Sequence, residues 1–209
     1  MSLRFIVKQT PTPSLKVFST DGYVYSDPEA VWATARNTPS SPGAIQTPAS
    51  AFNAITARTF SSNYYLYRSF LYLDLSSLPP GATVISAIVT VRGFTSANSQ
   101  VCIQQGTQTG TDNTGLVAGD WNAFTGTPFD VVNWITGNFP RNELTLNAAG
   151  LAYIESVVGG VAKFCLREYD SDYSDVAPLN NDDNKNSLYF HTATPGTDND
   201  PYITIEYTE

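Results

Sequence analysis

The 209-residue sequence has little charge and almost no histidine. Only 14% of its residues are charged, and His191 is its single histidine. Histidine is the most frequent general base at neutral pH, so its near absence weighs against acid–base catalysis. The sequence also lacks a nucleophile elbow, a phosphate-binding glycine loop and a Cys-x-x-Cys pair. We predict that the protein is not an enzyme. A hydrolase that uses two of the nineteen acidic residues is a third and weaker alternative.

Long apolar runs are absent as well. No segment approaches the ~20 apolar residues of a membrane-spanning helix, and the first residues lack an apolar stretch of secretory length. We therefore expect no membrane insertion and no signal peptide. In a reducing compartment Cys102 and Cys165 are expected to stay as buried free thiols, although a disulfide is the alternative. The net charge of −8 disfavours binding to nucleic acid.

Alternation of apolar and polar residues is the main pattern that is present. It has a period of two, which is typical of β-strands, and polar turn clusters separate the alternating segments. Only residues 147–158 have a helical pattern, which begins at the capping residue Asn147 and ends at Gly159. About ten short strands and one short helix predict an all-β fold, an antiparallel jelly-roll β-sandwich.

The second half of the chain is acidic. Residues 93–209 carry fifteen acidic and four basic side chains. The densest cluster contains Asp170, Asp172 and Asp175, and its all-oxygen side chains suit Ca²⁺, so calcium bound by these three carboxylates is one interpretation. The other interpretation is that Arg167 pairs with Asp172 and that water solvates the rest. No other cofactor is expected.

Aromatic side chains offer a second kind of candidate site. Tyr64, Tyr65, Tyr67 and Trp121 could present flat apolar faces to the C–H face of a sugar ring. The alternative is that these rings fill the core of the sandwich.

Several segments resemble the DNRLRE family of disaggregatase-related, carbohydrate-binding-module-like β-sandwiches. The strongest match runs from Tyr67 to Ala87 and reads YRSFLYLDLSSLPPGATVISA. Segments beginning at Asp21, Trp32, Ala118, Leu144, Leu166 and Pro201 follow in the order that the family shows. The resemblance covers roughly residues 20–208.

This resemblance implies a jelly-roll sandwich that binds rather than catalyses. Arg68 and Asp74 lie on one strand of the matched segment and are expected to be held by hydrogen bonds at the rim of the sandwich. Arg167 has a structural role if it pairs with Asp172. The segments TLNAAGLAYI and LREYDSDY are similar to the form found in bacteriophage virion proteins. A virion surface component is therefore expected, such as a head-decoration, fibre or host-attachment protein.

The chain is expected to divide into two parts, because LRFIVKQ and LKVF are two segments suited to a sheet edge and the proline-containing TPTPS separates them. Residues 1–20 are predicted to be an arm that contacts other virion proteins or a second copy by strand addition, and residues 21–209 form the sandwich. A glycan of the host surface is a further expected partner. The alternative is a carbohydrate-binding module of a secreted polysaccharide-degrading enzyme, located outside the cell.

Overall fold

Antiparallel strands build most of the molecule. A computed structural model describes residues 12–26, 28–46, 52–94, 99–135, 137, 140–179, 187–191 and 199–209. Strands account for 52% of the structure, which makes the fold all-β as predicted. Within these ranges the strands are Ser14–Ser26 (β1), Pro42–Ile45 (β2), Phe52–Phe60 (β3), Asn63–Asp74 (β4), Thr83–Phe94 (β5), Gln100–Gly106 (β6), Phe124–Asn133 (β7), Arg141–Thr145 (β8), Val161–Glu168 (β9), Ser187–His191 (β10) and Tyr202–Thr208 (β11).

The strand pairings nearly close the sheet into a barrel. Residues 14–18 of β1 pair with β11, and residues 19–25 pair with β4. From β11 the pairing continues through β5, β10 and β3 and returns to β4. β2 extends this ring from β1, β8 extends it from β5, and β9, β6 and β7 extend it from β4. β1 therefore connects two groups of strands along its own length.

The predicted N-terminal arm overlaps this connecting strand. The boundary expected between residues 20 and 21 falls inside β1, so residues 14–20 are part of the sheet. Leu15 and Val17 pack against the main hydrophobic core. The remainder of the predicted arm, residues 1–11, lies outside the described residues.

β4 is buried on both faces, although the alternation of its residues predicted only one buried face. Leu71 and Leu73 belong to the main core. Leu66, Phe70 and Tyr72 belong to a second core, together with Leu116 and Trp121 from the segment between β6 and β7. This core also contains Val24, Ala57 and Cys165. A strand covered on both faces reads as a nearly continuous apolar run, and residues 69–73 have that character.

Local turn chemistry agrees with the sequence prediction. The helix Ala148–Ser156 (α2) begins at Asn147, whose side chain accepts hydrogen bonds from the backbone N–H groups of Ala149 and Gly150. The amide of Ala82 donates to the carbonyl of Pro79 across a tight turn in which Gly81 has a φ of 82°. Both cysteines are buried and free, as predicted.

Helical structure is slightly richer than predicted. A second helix, Trp32–Asn37 (α1), precedes β2, and a π-helical turn covers Tyr169–Tyr173. Short 3₁₀ turns cover Asn113–Gly115 and Ala118–Asn122. The expectation of one short helix was therefore wrong. No sequence signal indicated α1, because this helix lacks the capping side chain that marks the start of α2. Among the described residues, no helix is long and apolar enough to cross a membrane.

The hairpin between β3 and β4 contains local backbone strain. Its two turn residues, Ser61 and Ser62, have φ angles of 48° and 65°. Both central positions of a tight hairpin turn favour Gly or Asn, because other side chains crowd the backbone at positive φ. We expect Ser62→Gly to stabilise the protein by about 1 kcal/mol in chemical denaturation.

A matched serine supplies the control for that substitution. Ser77 is also exposed and lies in a turn, but its φ is not positive. Ser77→Gly should leave stability unchanged or lower it slightly, because it only adds freedom to the unfolded chain. Equal effects of the two substitutions would show that the hairpin is not strained.

Candidate functional site

A carboxylate lies buried between two arginines beside the second core. The exposed fractions of Arg68, Arg167 and Asp172 are 1%, 3% and 0%. Each guanidinium donates from Nε to Oδ2 of Asp172 at 2.9 Å and from Nη2 to Oδ1 at 2.7 Å. Burial alone raises the pKa of Asp172, but the two guanidiniums outweigh burial and hold this pKa well below its usual range. The carboxylate is therefore charged and fully paired.

The sheet register explains why the carboxylate is needed there. β4 and β9 pair Ser69 with Leu166, and one further step places Arg68 beside Arg167. Two like charges at opposite positions of neighbouring strands repel each other. The π-helical turn that follows β9 brings Asp172 back between them. This confirms the predicted Arg167–Asp172 pair and adds Arg68 to it.

Arg68 uses its remaining donors to bind backbone and side-chain oxygens. Nη1 donates to the carbonyl of Trp121 at 2.8 Å and to Oδ1 of Asn122 at 3.0 Å, and Nη2 donates to the carbonyl of Arg36 at 2.8 Å. All five N–H groups of this guanidinium therefore have partners within the protein. The network ties β4 to α1 and to the 3₁₀ turn before β7, so its role is structural. Arg68 is held by hydrogen bonds as expected, but it lies inside the protein and not at the rim of the sandwich.

Trp121 belongs to the same network rather than to the surface. Only 4% of the residue is exposed, and its ring lies 4.4 Å from the guanidinium carbon of Arg68. Its indole N–H donates to the carbonyl of Arg36 at 3.0 Å. Both the ring and the N–H are thus engaged, and the residue does not offer a face to a sugar in this structure.

The three candidate tyrosines of β4 divide between the two faces of the strand. Tyr67 lies opposite Tyr25 of β1 at a ring separation of 6.0 Å, and Tyr23 contacts the same ring at 5.8 Å. Tyr65 shares this face and lies over the guanidinium of Arg58 at 5.3 Å. All four tyrosines are partly exposed, so Tyr65 and Tyr67 belong to one aromatic surface.

Tyr64 faces the other way. Its ring packs against Trp32 of α1 at 5.5 Å, and its backbone pairs with Glu29. Consecutive residues of a strand point to opposite faces, so no single ligand contacts Tyr64 and Tyr65 on one flat surface. The structure therefore brings together two of the four predicted aromatic residues.

The acidic residues proposed as calcium ligands have separate partners. Asp170 accepts a hydrogen bond from the backbone N–H of Gln100 at 3.0 Å, and Oγ of Ser99 lies 3.2 Å from the same carboxylate oxygen. Asp175 accepts from the indole N–H of Trp32 at 3.1 Å. Asp172 is enclosed by the two arginines. Among the described residues, no group of three or more His, Cys, Asp or Glu side chains is placed to hold a metal ion, and calcium stays a prediction.

Asp74 has only a local role. It lies at the exposed end of β4, where its side chain accepts a hydrogen bond from the backbone N–H of Ser76 at 2.9 Å. This contact starts the turn that leads to Pro79 and Pro80. The structural role expected of Asp74 is therefore one of turn formation.

Glu168 is a buried carboxylate that the sequence prediction overlooked. It is 0% exposed and accepts hydrogen bonds from the backbone N–H groups of Asp170, Ser171 and Asp172 at 3.1, 2.6 and 3.1 Å. Oγ of Ser99 donates a further, short hydrogen bond. Burial raises the pKa of Glu168 to about 7, although these hydrogen bonds oppose the shift. Its one sequence signal is its position just before the turn whose N–H groups it caps.

A cavity of about 320 Å³ opens beside Ser99, the residue that hydrogen-bonds Glu168. We call it the β6–β7 cavity. Its described lining residues are Ser99, Gln100, Asn133, Trp134 and Asp170. Within the part of the chain that the structure describes, the buried indole N–H of Trp134 has no hydrogen-bond partner. No sequence motif predicts this cavity, because its lining residues come from three segments that lie far apart along the chain.

No protein-family model matches the chain, and no curated protein matches its sequence.

Proposed function

We propose that this protein is a non-catalytic structural component of a bacteriophage virion surface, such as a head-decoration, fibre or host-attachment protein. The observation that carries the proposal is the Arg68–Asp172–Arg167 network. Arg68, Arg167 and Asp172 are charged side chains within the segments that resemble the DNRLRE family. They bind one another inside the protein, where they stabilise the fold. A fold that uses these charged residues for internal stability suits a protein with a structural role rather than a catalytic one.

The strand connectivity supports a jelly-roll sandwich as the framework of the proposal. β1, β11, β5 and β8 form one group, and β2, β4, β9, β6 and β7 continue from the other half of β1. Sandwiches of this type bring strands from one sheet to the other in the same manner. β2 and β7 lie at the two ends of the strand order and offer backbone groups for strand addition by a partner.

We assign the assembly contact to the first eleven residues. The sequence there contains Phe5, Ile6 and Val7, a short apolar run that would pair readily with the edge of another sheet. Deletion of residues 1–11 leaves β1 complete. We expect the shortened protein to keep its circular dichroism spectrum and melting temperature but to lose self-association, or incorporation into particles, in light scattering.

The alternative role predicts a different pattern. A carbohydrate-binding module of a secreted enzyme would co-sediment with insoluble polysaccharide, and it is favoured by the partly exposed surface that contains Tyr65 and Tyr67. Binding of this kind should weaken in Tyr67→Ala and persist after deletion of residues 1–11. If the full chain and the shortened chain assemble equally well, the virion proposal loses its assembly contact and the alternative takes precedence.

A further inference from the structure

We infer that the first residues of one copy of this chain dock on an exposed apolar patch of a second copy. The patch consists of Val31, Trp32, Tyr64, Val176 and Leu179, and we call it the Trp32 patch. This inference rests on the proposed function, which makes residues 1–11 the assembly contact, and it names the surface that receives them.

The Trp32 patch contains the three most exposed large apolar side chains of the described residues. They are Leu179, Val31 and Val176, with exposed fractions of 74%, 57% and 57%. The rings of Trp32 and Tyr64 are partly exposed beside them. Single apolar residues are ordinary on a protein surface, but a cluster of them marks an interaction site.

Contacts across the sheet show that these side chains form one surface. The ring of Trp32 packs on Tyr64 at 5.5 Å, and its indole N–H donates to Asp175 at 3.1 Å. Thr59 lies directly opposite Tyr64 in the register of β3 and β4, so the two side chains share a face. Oγ1 of Thr59 donates to the carbonyl of Leu179 at 2.6 Å. The chain from Asp175 to Leu179 therefore crosses the face that carries Tyr64 and Trp32.

The first residues of the chain have a sequence that matches such a surface. Residues 3–8 read LRFIVK. Bound as an extended strand, this segment would direct Leu3, Phe5 and Val7 to one side, because side chains alternate along a strand. Three apolar side chains in a row would then cover the Trp32 patch.

Charge complementarity supports the same occupant. Residues 1–11 contain Arg4 and Lys8 and no acidic side chain, in a chain whose net charge is −8. The rim of the patch carries Asp175, whose side chain is 58% exposed, and Glu29, whose backbone pairs with that of Tyr64. Exposed ion pairs add little affinity, but they orient a partner as it binds.

The position of β1 favours a second copy over the same chain. The carbonyl of Pro13 accepts a hydrogen bond from the backbone N–H of Tyr207 at one end of β1, and the Trp32 patch follows the other end. A strand of 13 residues spans roughly 40 Å. The chain from Pro13 back to Phe5 reaches at most about 29 Å. Phe5 therefore falls short of the patch of its own chain.

Photo-crosslinking in the full chain tests the contact directly. Benzoylphenylalanine replaces Phe5, and equal amounts of ¹⁵N-labelled and unlabelled protein are mixed, concentrated and irradiated. We expect mass spectrometry to find crosslinks to the peptides that contain Trp32 or Leu179. Pairs of a labelled and an unlabelled peptide would show that the crosslink joins two copies.

Substitutions on the patch should weaken self-association selectively. Val176→Ser combined with Leu179→Ser removes apolar area and should raise the dissociation constant in sedimentation velocity by roughly tenfold. The melting temperature should not change, because both side chains are exposed. Ile135→Ser is the matched control, since Ile135 is 54% exposed just after β7, and it should associate as the unmodified protein does.

Three results would overturn the inference. The first is a full chain that stays monomeric at its highest soluble concentration. The second is that the double variant associates as tightly as Ile135→Ser does. The third is that crosslinks fall on β7 and that Ile135→Ser is the weaker variant, which would place the segment at the sheet edge. Deletion of residues 1–11 tests the proposed function separately, because it removes the segment whichever surface receives it.

Discussion

Asp172→Asn is expected to destabilise the protein by about 3–5 kcal/mol. The substitution removes the only carboxylate that contacts Arg68 and Arg167 in the described network and leaves two buried guanidiniums side by side. The two guanidiniums also lose one of their two shared acceptor oxygens, because an amide has one oxygen where a carboxylate has two. Domains are typically stable by only 5–15 kcal/mol, so the variant should unfold at much lower urea concentrations.

Asp175→Asn is the matched control for this substitution. The side chain of Asp175 lies on the same stretch of chain but is 58% exposed, with Nε of Arg36 at 3.4 Å. Exposed ion pairs contribute little, so we expect a loss below about 1 kcal/mol. If the two variants unfold at the same urea concentration, the buried network does not contribute to stability as we propose.

A third variant distinguishes the effect of an unpaired buried charge on stability from the effect of a lost contact. Replacing Arg68 and Arg167 by Met and Asp172 by Leu removes all three charges and keeps most of the buried volume. Apolar replacement of a whole buried ion cluster is often neutral or stabilising, whereas removal of one partner is severe. The triple variant should therefore recover roughly half or more of the stability lost in Asp172→Asn. A triple variant less stable than the single one would mean that shape and hydrogen bonding dominate over charge.

The sequence predicted the parts of the fold that local chemistry determines. Alternating residues identified most strands, Asn147 identified the start of α2, and the run from Pro79 to Gly81 identified a tight turn. Each of these features depends on neighbours within a few residues, so a single sequence contains them. The pairing of Arg167 with Asp172 could also be predicted from the sequence, because only five positions separate the two residues.

The same pattern could not reveal which strand faces are covered. β4 alternates in a way that suggests one buried face, yet the segment that includes Leu116 and Trp121 covers the other face. That segment follows β6, more than forty residues after Leu71. Arg68 became part of the Asp172 network for the same reason, since the two residues are 104 positions apart. Long-range packing of this kind leaves no local signal.

The aromatic residues and the β6–β7 cavity show in another way what could not be predicted from the sequence. Tyr64 and Tyr65 are neighbours in sequence and therefore lie on opposite faces of the strand, so adjacency was misleading as a sign of a shared surface. The β6–β7 cavity needs Ser99, Asn133 and Asp170 to meet, and more than thirty positions separate each of these residues from the next in the sequence. Glu168 was overlooked because its neighbours Asp170 and Asp172 are more conspicuous.

The free energy of unfolding is expected to fall as the pH rises from about 4.5 to about 7, because of Glu168. Its pKa in the folded protein is about 7, against the ordinary value near 4.3 that it regains on unfolding. The folded state therefore holds this proton more tightly, and the stabilisation is complete below the unfolded value and lost through the folded value. The shift corresponds to about 3 kcal/mol over that interval. Asp172 acts in the opposite sense and in a lower window, because its lowered pKa removes stability only below its unfolded value near 3.9.

Glu168→Gln should abolish this loss of stability, because a glutamine does not titrate. The measurement is a series of urea unfolding curves between pH 4.5 and pH 7.5, and the slope with pH is compared rather than the absolute stability. The absolute value will drop in the variant at low pH, since an amide nitrogen must face N–H donors that the carboxyl oxygens now accept. Glu143→Gln on the exposed side of β8 is the control and should keep the slope of the unmodified protein. A slope that is the same in Glu168→Gln and Glu143→Gln would assign the pH dependence to other groups, and Glu168 would then be an ionised cap of the π-helical turn at every pH tested.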